Sequence, residues 1–494
     1  MSRIQKTAYL SASQVITTLS TLAVAVALSR VLETKAEYGT YQQTLLVYTF
    51  IAPLLALGLP AATFYFVPRN QGKERSVLIN GLAALMCSAL LFALFCITLG
   101  PVFIPSWFGN EDLGGTIPWL ALYGPATLIL LFISSSLVAI GRPKASAIFS
   151  AIFRLFMAFS VVLSAVIYAS VNISLGVQAL ICLAGSILGI GLIWQATAKS
   201  KSSSLLPSLD VVGRQLKYAV PLGLGAMLEG MALAIDKVMV SLFCSTEDYA
   251  VFVNGAMEVP LIAAITVAAG AVMLPEIVTA FSKKDRSTAL GLWKLMVKRV
   301  ALFLLPAGFL FFLVSEELMV VLYSESFKES ADPFRIYMLM LPARVAYFGM
   351  LFQGAGKTHL VLLRAIITLF LNTVLTYFLV RKFGMSGAAW GTVAVVWFFV
   401  VPYCVIQCSK FVEAGWNVLL PYRYIIAVGT LSGAAALGAW LSAWYLSDLF
   451  DIRSALFSGM LKGSIYALGV GILMAVFFRE DCLHIYKQLK SRFR

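Results

Sequence analysis

Charge is the scarcest property of this 494-residue chain. Lys, Arg, Asp and Glu together make up 12 %, about half of the roughly 25 % carried by a soluble domain. A water-facing surface of this size cannot be covered by so few charges. That excludes a soluble enzyme, and equally a disordered or fibrous chain. Histidine is nearly missing: His359 and His484 are the two in the chain, so a His-based metal site is not expected. The seven cysteines show none of the paired spacings of a metal site or a disulfide framework. Cys404 and Cys408, four apart on one helical face, read as small apolar packing residues. There is no Ser/His/Asp set, no HExxH and no carboxylate pair flanking a polar pocket, so the chain reads as a non-enzyme with no metal. Strict alternation of apolar and polar residues is absent too, which excludes a membrane β-barrel.

What is present is hydrocarbon. Apolar residues make up 60 % of the chain, in long continuous runs. A spanning helix needs about 20 such residues. The sequence accommodates about fourteen, near 9–29, 42–66, 77–100, 117–140, 147–170, 175–197, 218–242, 250–277, 300–322, 335–353, 361–380, 387–408, 424–446 and 455–478. The fold class is therefore an all-α polytopic membrane protein. The first run contains Gln14 and several threonines, which suits a retained span better than a cleaved signal. The longest polar link, KSKSSSLLPSLD (199–210), separates six spans from eight. The expected domains are 1–200, a six-helix lobe; 201–408, a second six-helix lobe; and 409–494, a further two-helix hairpin with a basic tail.

The formal net charge of +14 would suggest nucleic acid in a soluble protein. Here the loops account for it. With the N-terminus in the cytoplasm, 26 of the 37 basic residues fall on the cytoplasmic side and 7 outside. This asymmetry predicts that both termini are cytoplasmic, and leaves no role for nucleic acid. The tail after Phe478 reads as a contact for anionic lipid.

An internal repeat runs through the chain. Glu37-Tyr38 and Asp248-Tyr249 each stand between the first and second spans of a lobe. AIGRPK (139–144) matches GAGKTH (354–359), and NISLGVQAL (172–180) matches FGMSGAAWG (383–391). Parallel repeats of this kind are a transporter signature. The GAGKT run is no phosphate loop: the glycine that motif needs five residues before the Gly-Lys pair is Leu351, and no strand precedes it. Asn172-Ile173-Ser174 is a chance sequon.

Seven charges lie inside spans: Arg154, Glu229, Asp236, Lys237, Glu258, Arg344 and Lys462. Each costs about 2.5–3.5 kcal/mol at a helix centre on insertion scales, so they are expected to face a cavity or one another. Glu229 and Asp236, seven apart, share a helical face. Gly58-Leu59-Pro60 and Pro221-Leu222-Gly223 interrupt spans with the residue types that let helices bend.

SRVLETKAEYGTYQQ (29–43) followed by ALGLPAATFYFVPR (56–69) resembles the opening of the Wzx-type polysaccharide repeat-unit flippases of the multidrug/oligosaccharidyl-lipid/polysaccharide (MOP) exporter superfamily. AIDKVMV (234–240) with EDYAVF (247–252) resembles the opening of that family's second bundle, with Ala250 where the first half has Gly39. The resemblance implies a V-shaped pair of six-helix lobes around a central cavity. It implies a bacterial cytoplasmic membrane and a substrate of oligosaccharide carried on undecaprenyl pyrophosphate. Arg154, Arg344, Arg30 and Lys237 are then the candidates for holding pyrophosphate or sugar, since arginine makes two-pronged phosphate contacts. Glu229, Asp236 and Glu258 are candidates for carrying a coupling proton or sodium ion, or for orienting sugar hydroxyls in the cavity. No cofactor is expected. By analogy the last hairpin, with Lys462, would offer a groove to lipid. Membrane lipids, a polysaccharide polymerase and a chain-length regulator are the implied partners. Two rivals are weighed against this. A MATE-like cation-coupled drug antiporter would have twelve spans and an acidic cavity. A lipid II flippase shares the fourteen spans but not the opening motif.

Overall fold

The computed structural model describes residues 3–198, 200, 206–257, 273–449 and 454–478. Among them every regular element is helical. Ten helices are long and apolar enough to cross a membrane, or up to twelve when two bent pairs are each taken as one span. The chain is a polytopic membrane protein. The expected fourteen spans are not reached among the described residues. The eighth falls largely on 258–272, outside them, as do Glu258 and the basic tail. Two others, the eleventh and twelfth, run together as His359–Val412. At 1.5 Å per residue that run would be about 81 Å long, far more than the roughly 30 Å of a hydrocarbon core. It is broken at Gly384 (φ 60, ψ −144), a conformation open to glycine alone. The outer loop expected there is thus reduced to one glycine. Gly387 lets the chain close up, because a β-carbon on it would meet the Leu379 carbonyl.

The N-terminal helices are α1 (Arg3–Val31), α2 (Lys35–Leu55), α3 (Leu59–Arg69) and α4 (Glu74–Thr98). They continue as α5 (Leu120–Ala139), α6 (Pro143–Tyr168), α7 (Val171–Ala196), α8 (Leu209–Phe243) and α9 (Thr246–Gly255). Then follow α10 (Arg286–Leu313), α11 (Ser315–Tyr323), α12 (Ala331–Met338), α13 (Leu341–Val345), α14 (Thr358–Val395), α15 (Tyr422–Leu449) and α16 (Ala455–Phe477). Two compact units result. One comprises Met1–Val253 with Ala365–Ala388, the other Asn254–Arg364 with Ala389–Arg494. The first unit thus takes in α8 and part of α14.

Matching helix starts in the repeat carry the same device. Thr34 accepts a hydrogen bond from the Glu37 amide at 3.1 Å, and Glu37 accepts from the Glu33 amide at 3.0 Å. At the second start the Ser245 hydroxyl accepts from the Asp248 amide at 3.0 Å, and Asp248 accepts from the Ser245 amide at 3.3 Å. The second is a capping box, and in the first the carboxylate reaches the amide one residue before the cap; each satisfies amides at a helix start. Each is followed by a fully buried tyrosine, Tyr38 or Tyr249.

The expected tenth span, 335–353, is not continuous. It is bent by 47° between Glu325–Met338 and Leu341–Gly354, with Pro342 opening α13. A break at membrane depth frees carbonyls, and these must be met inside the protein. Two indoles do this. Trp397 donates to the Leu339 carbonyl at 2.9 Å, and Trp293 to the Tyr347 carbonyl at 3.3 Å.

In the second unit α15 and α16 pack on α10 through Ala435, Ala439 and Tyr466, whose hydroxyl donates to the Pro306 carbonyl at 2.8 Å. Lys462 of α16 forms an ion pair with Glu317 of α11, whose carboxylate also accepts from Ser458 at 3.0 Å. Both partners are mostly buried. Removing one member of a buried pair leaves the other uncompensated, at a cost of up to about 3–5 kcal/mol, whereas an apolar swap of both is often neutral. Glu317→Gln and Lys462→Met are each expected to lower the melting temperature in detergent, and Glu317→Leu with Lys462→Met to restore most of it. Additive losses in the double variant would show that the pair holds nothing together.

Candidate functional site

Three polar assemblies stand inside the first unit. The first surrounds Arg154. That residue lies eleven positions into α6, about 16 Å from its start at 1.5 Å per residue, near mid-membrane depth. Its charge reaches Tyr48 on α2, Tyr123 on α5 and Cys182 on α7. The rings of Tyr48 and Tyr123 meet edge to face at 5.2 Å. One turn from Cys182 on α7, Gln178 accepts from the Tyr41 hydroxyl at 2.7 Å. Tyr41, Tyr48 and Gln178 are buried, while Tyr123 and Arg154 are partly exposed, so the assembly is open on their side. Among the described residues the Arg154 guanidinium has no ion pair and no hydrogen bond. It is a permanent positive charge at depth, within electrostatic reach of the Tyr48 and Tyr123 phenols and open on one side. Chemically this arrangement attracts an anion and offers hydroxyl partners to a polar ligand.

The second assembly carries a buried acid. Asp236 on α8 is 2 % exposed, accepts from the Lys237 amide at 2.7 Å, and its charge reaches Tyr249. One turn earlier the Ala232 carbonyl accepts from Asn372 of α14 at 3.3 Å, and Thr376 donates to Asn372 at 2.9 Å. Asn372 and Thr376 are four apart, as are Ala232 and Asp236, so polar groups are matched over one helical turn. Glu229, on the same face of α8, is exposed. The shared face was legible, but not the packing: Asn372, Thr376 and Tyr249 cover the Asp236 end.

The third assembly closes one end of the α2–α8 contact. Gln43 donates to Ser241 at 2.9 Å and accepts from Asn110 at 2.6 Å. Asn110 also donates to Thr40 at 2.9 Å, and Thr44 meets Thr116 at 2.7 Å. All six are buried. A buried network satisfied this fully is rigid and geometrically specific. Beside it the first repeat corner touches the second: a β-carbon on Gly39 would meet the Thr246 carbonyl. Along the same pair of helices Gly58 and Gly223 cross backbone to backbone. Gly58 has φ 68 at the α2–α3 break, and α8 bends by 42° just beyond Gly223. The two proline–glycine interruptions of the sequence therefore meet.

The other expected residues are dispersed. Arg30 is exposed in the last turn of α1, and Lys237 is half-buried beside Asp236. Arg344 is exposed at the end of α13, and Lys462 is held by Glu317; both belong to the second unit. Glu258 lies outside the described residues. Tyr41, Tyr123, Gln178, Asn372 and Thr376 had not been singled out. Their signal was weak but present, as neutral polar groups inside otherwise apolar runs.

A family model described as "Polysaccharide biosynthesis protein" matches residues 4–281, more than half of the chain. The chain belongs to the polysaccharide biosynthesis protein family. The match covers both stretches that resemble Wzx-type flippases, 29–43 and 56–69, and the α8 stretch 234–240. No curated protein matches this family member. Among solved structures it is similar to the lipid II flippase MurJ in an inward closed conformation, with a TM-score of 0.71 and 15 % identity over 97 % of this chain and 100 % of that one. It is similar to an inward-facing multidrug resistance MATE family transporter of the MOP superfamily, with a TM-score of 0.61 and 15 % identity over 80 % and 96 %. A third is a MOP superfamily transporter from Pyrococcus furiosus, with a TM-score of 0.54 and 15 % identity over 82 % and 96 %. At such identities the likeness establishes the fold alone: an all-helical fold of the MOP type.

Proposed function

We propose that this family member is a flippase. It moves oligosaccharide repeat units carried on undecaprenyl pyrophosphate across the bacterial cytoplasmic membrane, for assembly of surface polysaccharide. It does so by alternating access and without catalysis. The observation that carries this reading is Arg154. A pyrophosphate cannot enter hydrocarbon alone, and a guanidinium with no acidic partner among the described residues lowers that cost by charge-assisted hydrogen bonding. Tyr123 and its neighbours would serve sugar hydroxyls. Arg30, Arg344 and Lys237 would guide the headgroup along its path. Asp236, with Glu229 and Glu258, would take up a coupling proton or sodium ion. The α2–α8 contact suits a conformational cycle: a rigid network at one end and a glycine crossing at two helix bends. Both termini would lie in the cytoplasm, and the product would pass to a polymerase and chain-length regulator. Family membership supports the pathway.

The test is a clean deletion. Surface polysaccharide is expected to disappear and the lipid-linked repeat unit to accumulate on the cytoplasmic leaflet. Normal polysaccharide would refute the reading, and loss of dye efflux with polysaccharide intact would point instead to a drug antiporter.

A further inference from the structure

The second unit contains a cavity of about 550 Å³ among α10, the bend from α12 to α13, and the end of α14. Its wall includes Leu305, Phe309, Pro342, Trp390, Ala394 and Trp397. Every lining residue is apolar, glycine or proline. The Trp397 indole N–H is spent on the Leu339 carbonyl, so water entering the cavity would find no partner, and water requires two to four. Trp390 and Phe398 at the rim are exposed on spanning helices, so the cavity opens where the surrounding medium is lipid hydrocarbon. Leu305 and Phe309 lie within eight residues of the α10 end at Leu313, about 12 Å at 1.5 Å per residue. That places the cavity in one leaflet.

We propose that this cavity binds one acyl chain of a bilayer phospholipid. The volume sets the occupant. At roughly 30 Å³ for a group the size of a water molecule, it holds at least about 18 methylene-sized groups. That is one acyl chain. A polyprenyl tail is several times longer and could insert only its end. A resident chain would also wedge the bend at Leu339, which rests on Trp397, and so support the broken tenth span. The inference does not depend on what the protein transports.

The probe is a phosphatidylglycerol brominated on its acyl chains, since bromine quenches an indole on contact. Delipidated protein in detergent is titrated with it. Tryptophan fluorescence is expected to fall saturably at one equivalent per chain, with the quenched fraction at least two-fold smaller in Trp397→Phe. Ala394→Phe, which fills the cavity, is expected to lose the saturable phase while keeping the wild-type melting temperature. Gly308→Leu, whose new side chain enters beside Leu341, replaces it if Ala394→Phe does not fold. Quenching that rises without saturation in the wild type, as for annular lipid, overturns the proposal. So does a saturable phase that survives in the filled variants, or one displaced by undecaprenyl phosphate but not by unbrominated phosphatidylglycerol.

Discussion

Gly58→Ala is expected to destabilise the protein by about 2–5 kcal/mol and to abolish polysaccharide export. Two costs combine. The left-handed backbone at φ 68 costs a residue with a β-carbon roughly 1–2 kcal/mol. The β-carbon also has nowhere to go: it would meet the Ala219 carbonyl, and the Gly223 amide nitrogen and Cα at 2.8 and 2.9 Å. These are backbone atoms of a packed helix, and overpacking of this kind costs about 1–3 kcal/mol. Gly72 supplies the control. It has φ 81 with nothing within 4 Å of an added β-carbon, so Gly72→Ala incurs the first cost without the second. Thermal unfolding in detergent measures both variants. A Gly58→Ala protein no less stable than Gly72→Ala would mean that α3 and α8 do not cross this closely.

Arg154→Ala is expected to reduce repeat-unit transport roughly 10- to 150-fold, while the protein still inserts and is as stable as wild type. The figure corresponds to losing about 1.5–3 kcal/mol of hydrogen bonding to a charged group, at 1.4 kcal/mol per tenfold. Stability is spared because the guanidinium has no ion pair to lose among the described residues, and its removal takes a charge out of the membrane. Arg154→Lys should fall between, since it retains the charge but not the two-pronged geometry. A structural role would show the reverse pattern: a destabilised protein whose remaining folded fraction transports normally.

The spans were legible because their signal is one-dimensional: about twenty apolar residues in a row. The repeat corners at Glu37-Tyr38 and Asp248-Tyr249 were legible in the same way, being local, though the Thr34 and Ser245 caps beside them had not been singled out. The break at Leu339–Tyr347 was legible only as Pro342, one of several prolines inside spans, and what sustains it was not. A helix broken at depth is tolerated only when something fills its open carbonyls, and here Trp397 and Trp293 come from distant spans. Nothing near residue 340 announces them. The polar assemblies were half legible. Counting charges found Arg154 and Asp236 but passed over Tyr41, Tyr123, Gln178 and Asn372, because a phenol or an amide does not interrupt an apolar run as a charge does. Glu229 and Asp236 show the limit of helical register. Spacing gives the direction of a side chain, but what packs over it at each depth depends on other helices. The pairing of Gly58 with Gly223 is of the same kind: each interruption was visible alone, their contact was not.

Transbilayer movement of the substrate is the most direct measure of the central claim. Purified protein is reconstituted in liposomes with an undecaprenyl-pyrophosphate oligosaccharide, and the sugar reaching the opposite leaflet is scored by its accessibility to an added glycosidase. Wild type is expected to expose both leaflets' sugar far faster than protein-free liposomes, and Arg154→Ala to be close to the protein-free rate. Movement no faster than in protein-free liposomes, under an imposed proton or sodium gradient as well as without one, would contradict the account.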